Sequence, residues 1–299
     1  DSAPMKAQLV FTALAIGALA GAPQAFAQAP RQDVVWARTT DGAAITLDGV
    51  LNEPGWAKAD SLLVRWAVDN GIPGSGYKGE VGQLPIDPTY ATLKFLTVGN
   101  NLYMGAVVRD TSVGGSAEFN RFDGFLMWIA DHTNPYRPAP ALEYTYLWWY
   151  PEGDPNPKAP GKSPSFWGRW ANWPPGSARD STQIANWNAV TVVDGRSNSD
   201  TTLDRGYTVE MKFNVAPVGY DYTKPGGDVL EWSISVYDCD WFWPLDVSKF
   251  SCNRTWWQNP WANTSWYNEG KIYARSDVTI NSGPVPTVGP DLRIPSIAE

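Results

Sequence analysis

The sequence holds one histidine, His132, and two cysteines, Cys239 and Cys252, in 299 residues. A zinc site, a Ser-His-Asp relay or a bis-histidine haem each needs more than that, so those chemistries are set aside. There is no C-x-x-C-H for covalent haem and no EF-hand spacing. The stretch "GIPGSGYKG" lacks the helix and Lys-Ser/Thr arrangement of a phosphate loop. Basic runs are missing as well. With 23 Lys and Arg against 31 Asp and Glu the net charge is −8, which speaks against nucleic acid or an anionic lipid surface as partner. Windows long enough for a three-turn helix are few, because 25 prolines and 27 glycines punctuate the whole chain. No repeat that would signal a solenoid or propeller is found.

What is abundant is aromatic and apolar. Hydrophobic residues make up 43% and charged residues 18%, so a sizeable core can be buried. The first 30 residues stand apart. Met5-Lys6 leads into an uncharged, Ala/Leu-rich run ending in Ala25-Phe26-Ala27, the pattern of a bacterial signal peptide. The alternative is a retained membrane anchor. In the oxidising exterior that export implies, Cys239 and Cys252 form a disulfide around "DWFWPLDVSKFS"; two buried free thiols are the competing reading.

Beyond the leader, residues 33–38 and 44–47 read as short extended segments, and Asn52 to Trp56 as a brief helical turn with Pro54 near its start. Tyr90 to Asp110 is a hairpin around Gly99-Asn100-Asn101. Asp123 to Asp131 is a strand buried on both faces, and Leu142 to Tyr150 another. Strands resume at Trp187 to Asp194 and at Arg205 to Val215, where Tyr207, Val209, Met211 and Phe213 alternate with the polar Thr208, Glu210, Lys212 and Asn214. Val229 to Asp240 carries Leu230, Trp232, Ile234 and Val236 on one side, and "GKIYARSDVTI" closes the domain. The expected fold is all-β: a two-sheet β-sandwich or jelly roll over residues 31–280, with long aromatic-rich loops. Residues 151–185, rich in Pro, Gly, Ser and Trp, read as an excursion from it, and 281–299 as an extended tail.

Four segments, in order, resemble the family 9 carbohydrate-binding modules: "ITLDGVLNEPGWAKAD", "TLKFLTVGNNLYMGAVVRDTSV", "FDGFLMWIAD" and "LDRGYTVEMKFNV". With "VLEWSISVYDCD" the match spans about residues 33 to 275. The third stands where the family usually has an Asp followed by x-x-Glu and an apolar strand, and the insertion at 151–185 has no counterpart in the family's pattern. The resemblance implies a two-sheet antiparallel sandwich that binds rather than reacts, often with a structural Ca²⁺. Related domains also include haem b subunits of periplasmic dehydrogenases, whose iron is held by Met and Lys. Met104, Met127 and Met211 here sit in apolar strands and read as core.

The stretch "TWWQNPWANTSW" places Trp256, Trp257, Trp261 and Trp266 in what looks like a loop at one end of the sandwich. Indoles stack on sugar rings, and Gln258, Asn259 and Asp240 are of the type that takes hydroxyl hydrogen bonds. The competing reading is a second core beneath long loops. Trp167, Trp170 and Trp173 in the insertion read as a contact surface for a glycan or a protein. Asp238 and Asp240 lie two apart on one strand face; glycoside hydrolysis would need two carboxyls facing each other across a cleft, and a structural role such as holding Ca²⁺ is the preferred reading. The sequence thus points to a non-catalytic, exported glycan-binding protein. The alternatives are an anchored accessory subunit of a periplasm-facing membrane complex and a haem-bearing electron-transfer subunit.

Overall fold

The computed structural model describes residues 32–67, 75–81, 87–114, 123–130, 132–133, 142–149, 166–170, 185–197, 199, 201, 203–241, 250–258 and 270–288. The larger sheet contains β1 (Val34–Trp36), β4 (Gly76–Val81), β7 (Gly124–Ala130), β8 (Leu142–Trp149), β9 (Phe166–Trp170), β12 (Asp228–Trp241), β13 (Phe250–Trp257) and β14 (Gly270–Ala274). The smaller contains β2 (Arg38–Thr39), β3 (Ser61–Arg65), β5 (Tyr90–Val98), β6 (Asn101–Arg109), β10 (Trp187–Val193) and β11 (Tyr207–Asn214). A short helix, α1 (Pro54–Lys58), starts at the proline whose fixed φ suits a first helical turn.

The long strand β12 organises the larger sheet. Its first half pairs with β14 and its second with β13 along one edge, while β7 runs along the other. Leu230, Trp232, Ile234 and Val236 alternate toward the smaller sheet, and all four are fully buried. They meet the inward residues of β5, β6 and β11, among them Phe95, Met104, Val209 and Met211, in one core cluster. Phe95 and Trp232 touch edge to face, with centroids 5.2 Å apart. The expected hairpin is present, with Val98 opposite Asn101 and Gly99-Asn100 as its two-residue turn.

Two sheets are as expected; purely antiparallel pairing is not. The first extended segment breaks at Ala37, so that β1 joins β14 in the larger sheet and β2 joins β5 in the smaller, both in parallel. Ala37 N–H still reaches Tyr273 O, while Thr39 N–H reaches Val278 O, so the two halves are held from different elements. Residues 44–47 are not a strand. Ile45 and Leu47 instead pack with Leu51, Trp56, Leu96 and Tyr103 in a second, smaller core on the outer side of the smaller sheet. Within the 151–185 excursion, β9 pairs with β8, Trp167 opposite Trp148 and Trp170 opposite Thr145, and so extends the larger sheet.

Glu210 corrects the expected polar face of β11. It is completely buried and accepts Asp48 N–H and Gly49 N–H at Oε2, both at 2.9 Å, and Trp56 Nε1–H at Oε1, at 3.0 Å. Burial pushes its carboxyl above the usual range, and the three donors pull it back. Two of the segments that carry the family resemblance are thereby tied to each other.

The described residues fall within one compact unit, Arg31–Val288. Arg38 anchors its last turn by donating to Thr279 O and Gly283 O. No helix among the described residues is long and apolar enough to cross a membrane. The leader lies outside them.

Candidate functional site

The paired tryptophans are part of a strand, not a loop. β13 lies between β12 and β4, with Trp257 opposite Ile234 and Trp256 opposite both Ser235 and Gly76. Adjacent strand residues point to opposite faces, and the two indoles part accordingly. Trp257 turns into the inter-sheet core, 2% exposed, against Trp232 with centroids 5.8 Å apart. Gly270 makes room for it, since a Cβ there would come within 2.0 Å of the ring. Its Nε1–H is satisfied by Gln32 O at 3.1 Å. Trp257 is therefore a packing residue, and the expectation that it offers an indole face to a ligand is corrected.

Trp256 remains partly exposed on the other face. Its ring lies over Gly76, where a Cβ would sit 2.7 Å from Cζ2. The Arg254 guanidinium stacks on it at 5.2 Å and is itself 2.8 Å from Glu80 Oε1. At Gln258 the chain leaves the sheet through a left-handed turn, φ 70°, which favours glycine and costs a glutamine on the order of 1 kcal/mol. Its N–H is held by Ser75 Oγ at 3.1 Å, and the side chain is buried at 3% exposure, so it too is withdrawn from a surface role. Asn259, Trp261 and Trp266 follow outside the described residues, as does Trp173.

Asp240 belongs to a different construction. The inward register of β12 continues from Val236 to Asp238 and Asp240, that of β6 continues from Val108 to Asp110, and Asp123 stands just before Phe125 of β7. At this end the core passes from apolar side chains to carboxylates. Asp110, Asp123, Asp238 and Asp240 are all at most 4% exposed. Asp123 is fixed by Cys239 N–H and Gly114 N–H, both at 2.6 Å. Asp238 Oδ1 takes Asn253 Nδ2–H at 3.1 Å, and Asn253 in turn takes Thr89 Oγ1–H. Among the described residues no hydrogen-bond donor reaches Asp238 Oδ2, although it is buried.

Burial, reinforced by neighbouring carboxylates, pushes Asp110 up to about 7 and Asp123 and Asp238 well above the carboxylate range. One oxygen each from Asp87, Asp238 and Asp240 lies within 4.8 Å of the others. An all-oxygen carboxylate set is what a hard divalent cation takes. The orphaned Asp238 oxygen and the cost of burying uncompensated charge both fit such an ion. The disulfide bears directly on this set: Cys239 lies between Asp238 and Asp240 and is bonded to its cross-strand partner Cys252, with Cα atoms 4.1 Å apart.

No protein-family model and no curated protein matches the sequence. Among solved structures, the chain is similar to a family 9 carbohydrate-binding module from Caldicellulosiruptor kristjanssonii in complex with cellotriose, at 15% identity and TM-score 0.46 over 85% of this chain and 99% of that one. The glucose complex of a family 9 module from the same organism gives 16% identity and TM-score 0.46, over 84% and 100%. A candidate carbohydrate-binding protein from Bacteroides uniformis gives 7% identity and TM-score 0.44, over 81% and 99%. The likeness is one of fold.

Of the other sequence expectations, Met104, Met127 and Met211 are fully buried in the core. The single histidine, His132, has its Nε2 3.1 Å from Oε2 of the buried Glu231, and its ring packs on Tyr220 with centroids 4.2 Å apart. Sequence reading did not find Glu210 or the Asp87 contribution to the carboxylate set. The available signal for the set was the pair of Val-x-Asp endings of β6 and β12, where an apolar register is continued by a carboxylate.

Proposed function

We propose that this chain is a non-catalytic, exported carbohydrate-binding protein of the family 9 type, meeting its glycan through the tryptophans at the end of β13. The observation that carries the reading is the setting of Trp256. Its indole is supported by Gly76 and Arg254 on a strand paired along both edges, yet stays partly exposed. A rigidly held aromatic surface loses little entropy when a sugar ring stacks on it. Along the same segment Asn259, Trp261 and Trp266 supply a hydrogen-bonding amide and further indoles. Trp257 and Gln258, being buried, serve the platform from beneath.

The same reading includes a structural calcium ion held by Asp87, Asp238 and Asp240. The cation would neutralise the carboxylates and fix the end of β12 against the segment before β5. It plays no chemical part in recognition.

The test is a panel of neutral oligosaccharides titrated against the wild-type protein and W256A, followed by tryptophan fluorescence. Saturable binding that W256A weakens at least tenfold, with an unchanged melting temperature, is expected. Binding to no glycan in the panel would contradict the reading.

A further inference from the structure

We infer that the outer face of the smaller sheet carries a second saccharide site, a shallow groove that takes an acidic glycan bearing uronate carboxylates. The inference rests on the carbohydrate-binding reading above and adds to it a second place and a charged ligand class. Among the described residues, three of the five exposed large hydrophobics are Leu63, Val107 and Val192, at 40%, 44% and 41% exposure. They share one row. Leu63 stands opposite Thr92, Thr92 opposite Val107, Val107 opposite Thr208, and Thr208 opposite Val192. The row crosses five strands, about 19 Å at about 4.8 Å per step, and both threonines are partly exposed.

Both sides of the row are raised. On one side Leu51 and Trp56 cover Gly105, two residues before Val107, where a Cβ would come within 2.7 Å of Leu51 Cδ2. A Cβ on Gly49 would likewise come within 2.9 Å of Val192 Cγ2, and Glu210 holds the Gly49 N–H. On the other side the next row consists of Arg65, Tyr90 and Arg109, opposite one another in register. Arg65 Cζ lies 4.4 Å and Arg109 Cζ 4.5 Å from the Tyr90 centroid, so the three side chains brace each other. Arg109 is exposed, and none of the ion pairs among the described residues engages it.

The chemistry of floor and wall selects the ligand class. A pyranose ring turns C–H groups to its faces and carries equatorial hydroxyls and carboxylates at its rim. An apolar floor with cations along one wall matches that division. The aliphatic groups of Leu63, Val107, Val192 and the threonines lose water beneath the ring. Rim carboxylates meet the guanidiniums in charge-assisted hydrogen bonds, which Arg makes in a planar, two-pronged fashion. An extended peptide fits less well, because it would lie across the strands, where no sheet edge can pair with its N–H and C=O groups. Both faces of Tyr90 are taken, so no aromatic platform is on offer. Affinity therefore depends on the ligand's charge and weakens with salt. Asp110, on the inward register of β6, takes no part.

The test titrates the full ¹⁵N-labelled chain with galacturonate and glucuronate oligomers, with neutral oligosaccharides of matching length, and with polyglutamate. The uronates should shift the amides of Leu63, Thr92, Val107, Arg109 and Thr208, and the shifts should fade as ionic strength rises. R109Q and V107D should each weaken that event at least tenfold with melting temperatures close to wild type; V107D leaves the Tyr90 stack in place. Neutral sugars shifting residues 254–258 while uronates shift nothing in the row, or unchanged affinity in both variants, would overturn the groove and leave the carbohydrate reading intact. Neutral sugars that shift the row as strongly as uronates would overturn the ligand class. Equal shifts with polyglutamate would overturn the site as a saccharide site and assign the face to an acidic protein. A chain in which no sugar shifts any amide would lose both readings.

Discussion

Trp56 and Glu210 are 154 residues apart in sequence, and the indole N–H of one meets the carboxylate of the other at 3.0 Å in the interior. Because Glu210 also takes the Asp48 and Gly49 N–H groups, one buried carboxylate fastens the turn and helix before β3 onto the outer side of β11. E210Q must present an NH₂ where an oxygen now accepts, leaving at least one buried donor unpaired. A loss of about 1–3 kcal/mol in chemical denaturation is expected. W56F should cost less on its own, and the double variant should fall short of the sum, because the pair shares one interaction.

The two neighbouring tryptophans should separate cleanly by experiment. W257A empties a tightly packed space between Trp232 and Gly270 and should destabilise the protein by about 3–5 kcal/mol. W256A removes a partly exposed ring and should alter stability by less while changing glycan affinity. Equal destabilisation by both would mean that the alternation of β13 is wrong.

The disulfide should be detectable and structural. A Cys239–Cys252 cross-linked peptide is expected in a non-reducing digest. C239S/C252S should lose about 2–4 kcal/mol, in keeping with the short loop the bridge closes. Divalent-cation affinity should fall with it, since Asp238 and Asp240 flank Cys239.

Calcium should raise the melting temperature of chelator-treated protein, and D238N should abolish that rise. The chelated form should also respond to pH. Asp110 is held up at about 7 in the folded chain against about 3.9 when unfolded. The folded state therefore carries the extra proton between those values, and stability falls as pH rises from about 4 to about 7. Calcium should flatten this slope, because the cation supplies the positive charge that protons otherwise bring. Melting curves at pH 5 and pH 8, with and without calcium, check both statements.

Much of the fold was legible because the signals are local. Gly99-Asn100 between two apolar runs fixes the β5–β6 hairpin, Pro54 starts α1, and the alternation from Leu230 to Val236 marks β12. β13 was missed because Asn253, Arg254 and Thr255 are polar neighbours that break any apolar alternation. They are buried, and Asn253 and Arg254 are matched by Thr89 and Glu80, distant partners that no local window shows. The parallel edge strands escaped for a related reason, since the break at Ala37 matters only once β14 and β5 are both in place. At the site, the tryptophan pair was visible but its division between core and surface was not. Asp238 and Asp240 were visible as a same-face pair, while Asp87 joins them only through the fold.

The central claim is that this chain binds a glycan and leaves it intact. Isothermal titration of the calcium-loaded wild-type protein with the best neutral oligosaccharide from the panel, followed by chromatography of the recovered sugar, tests it most directly. The expected result is saturable binding with the oligosaccharide returned at its original length. An absence of heat with every glycan, or recovery of shortened products, would contradict it.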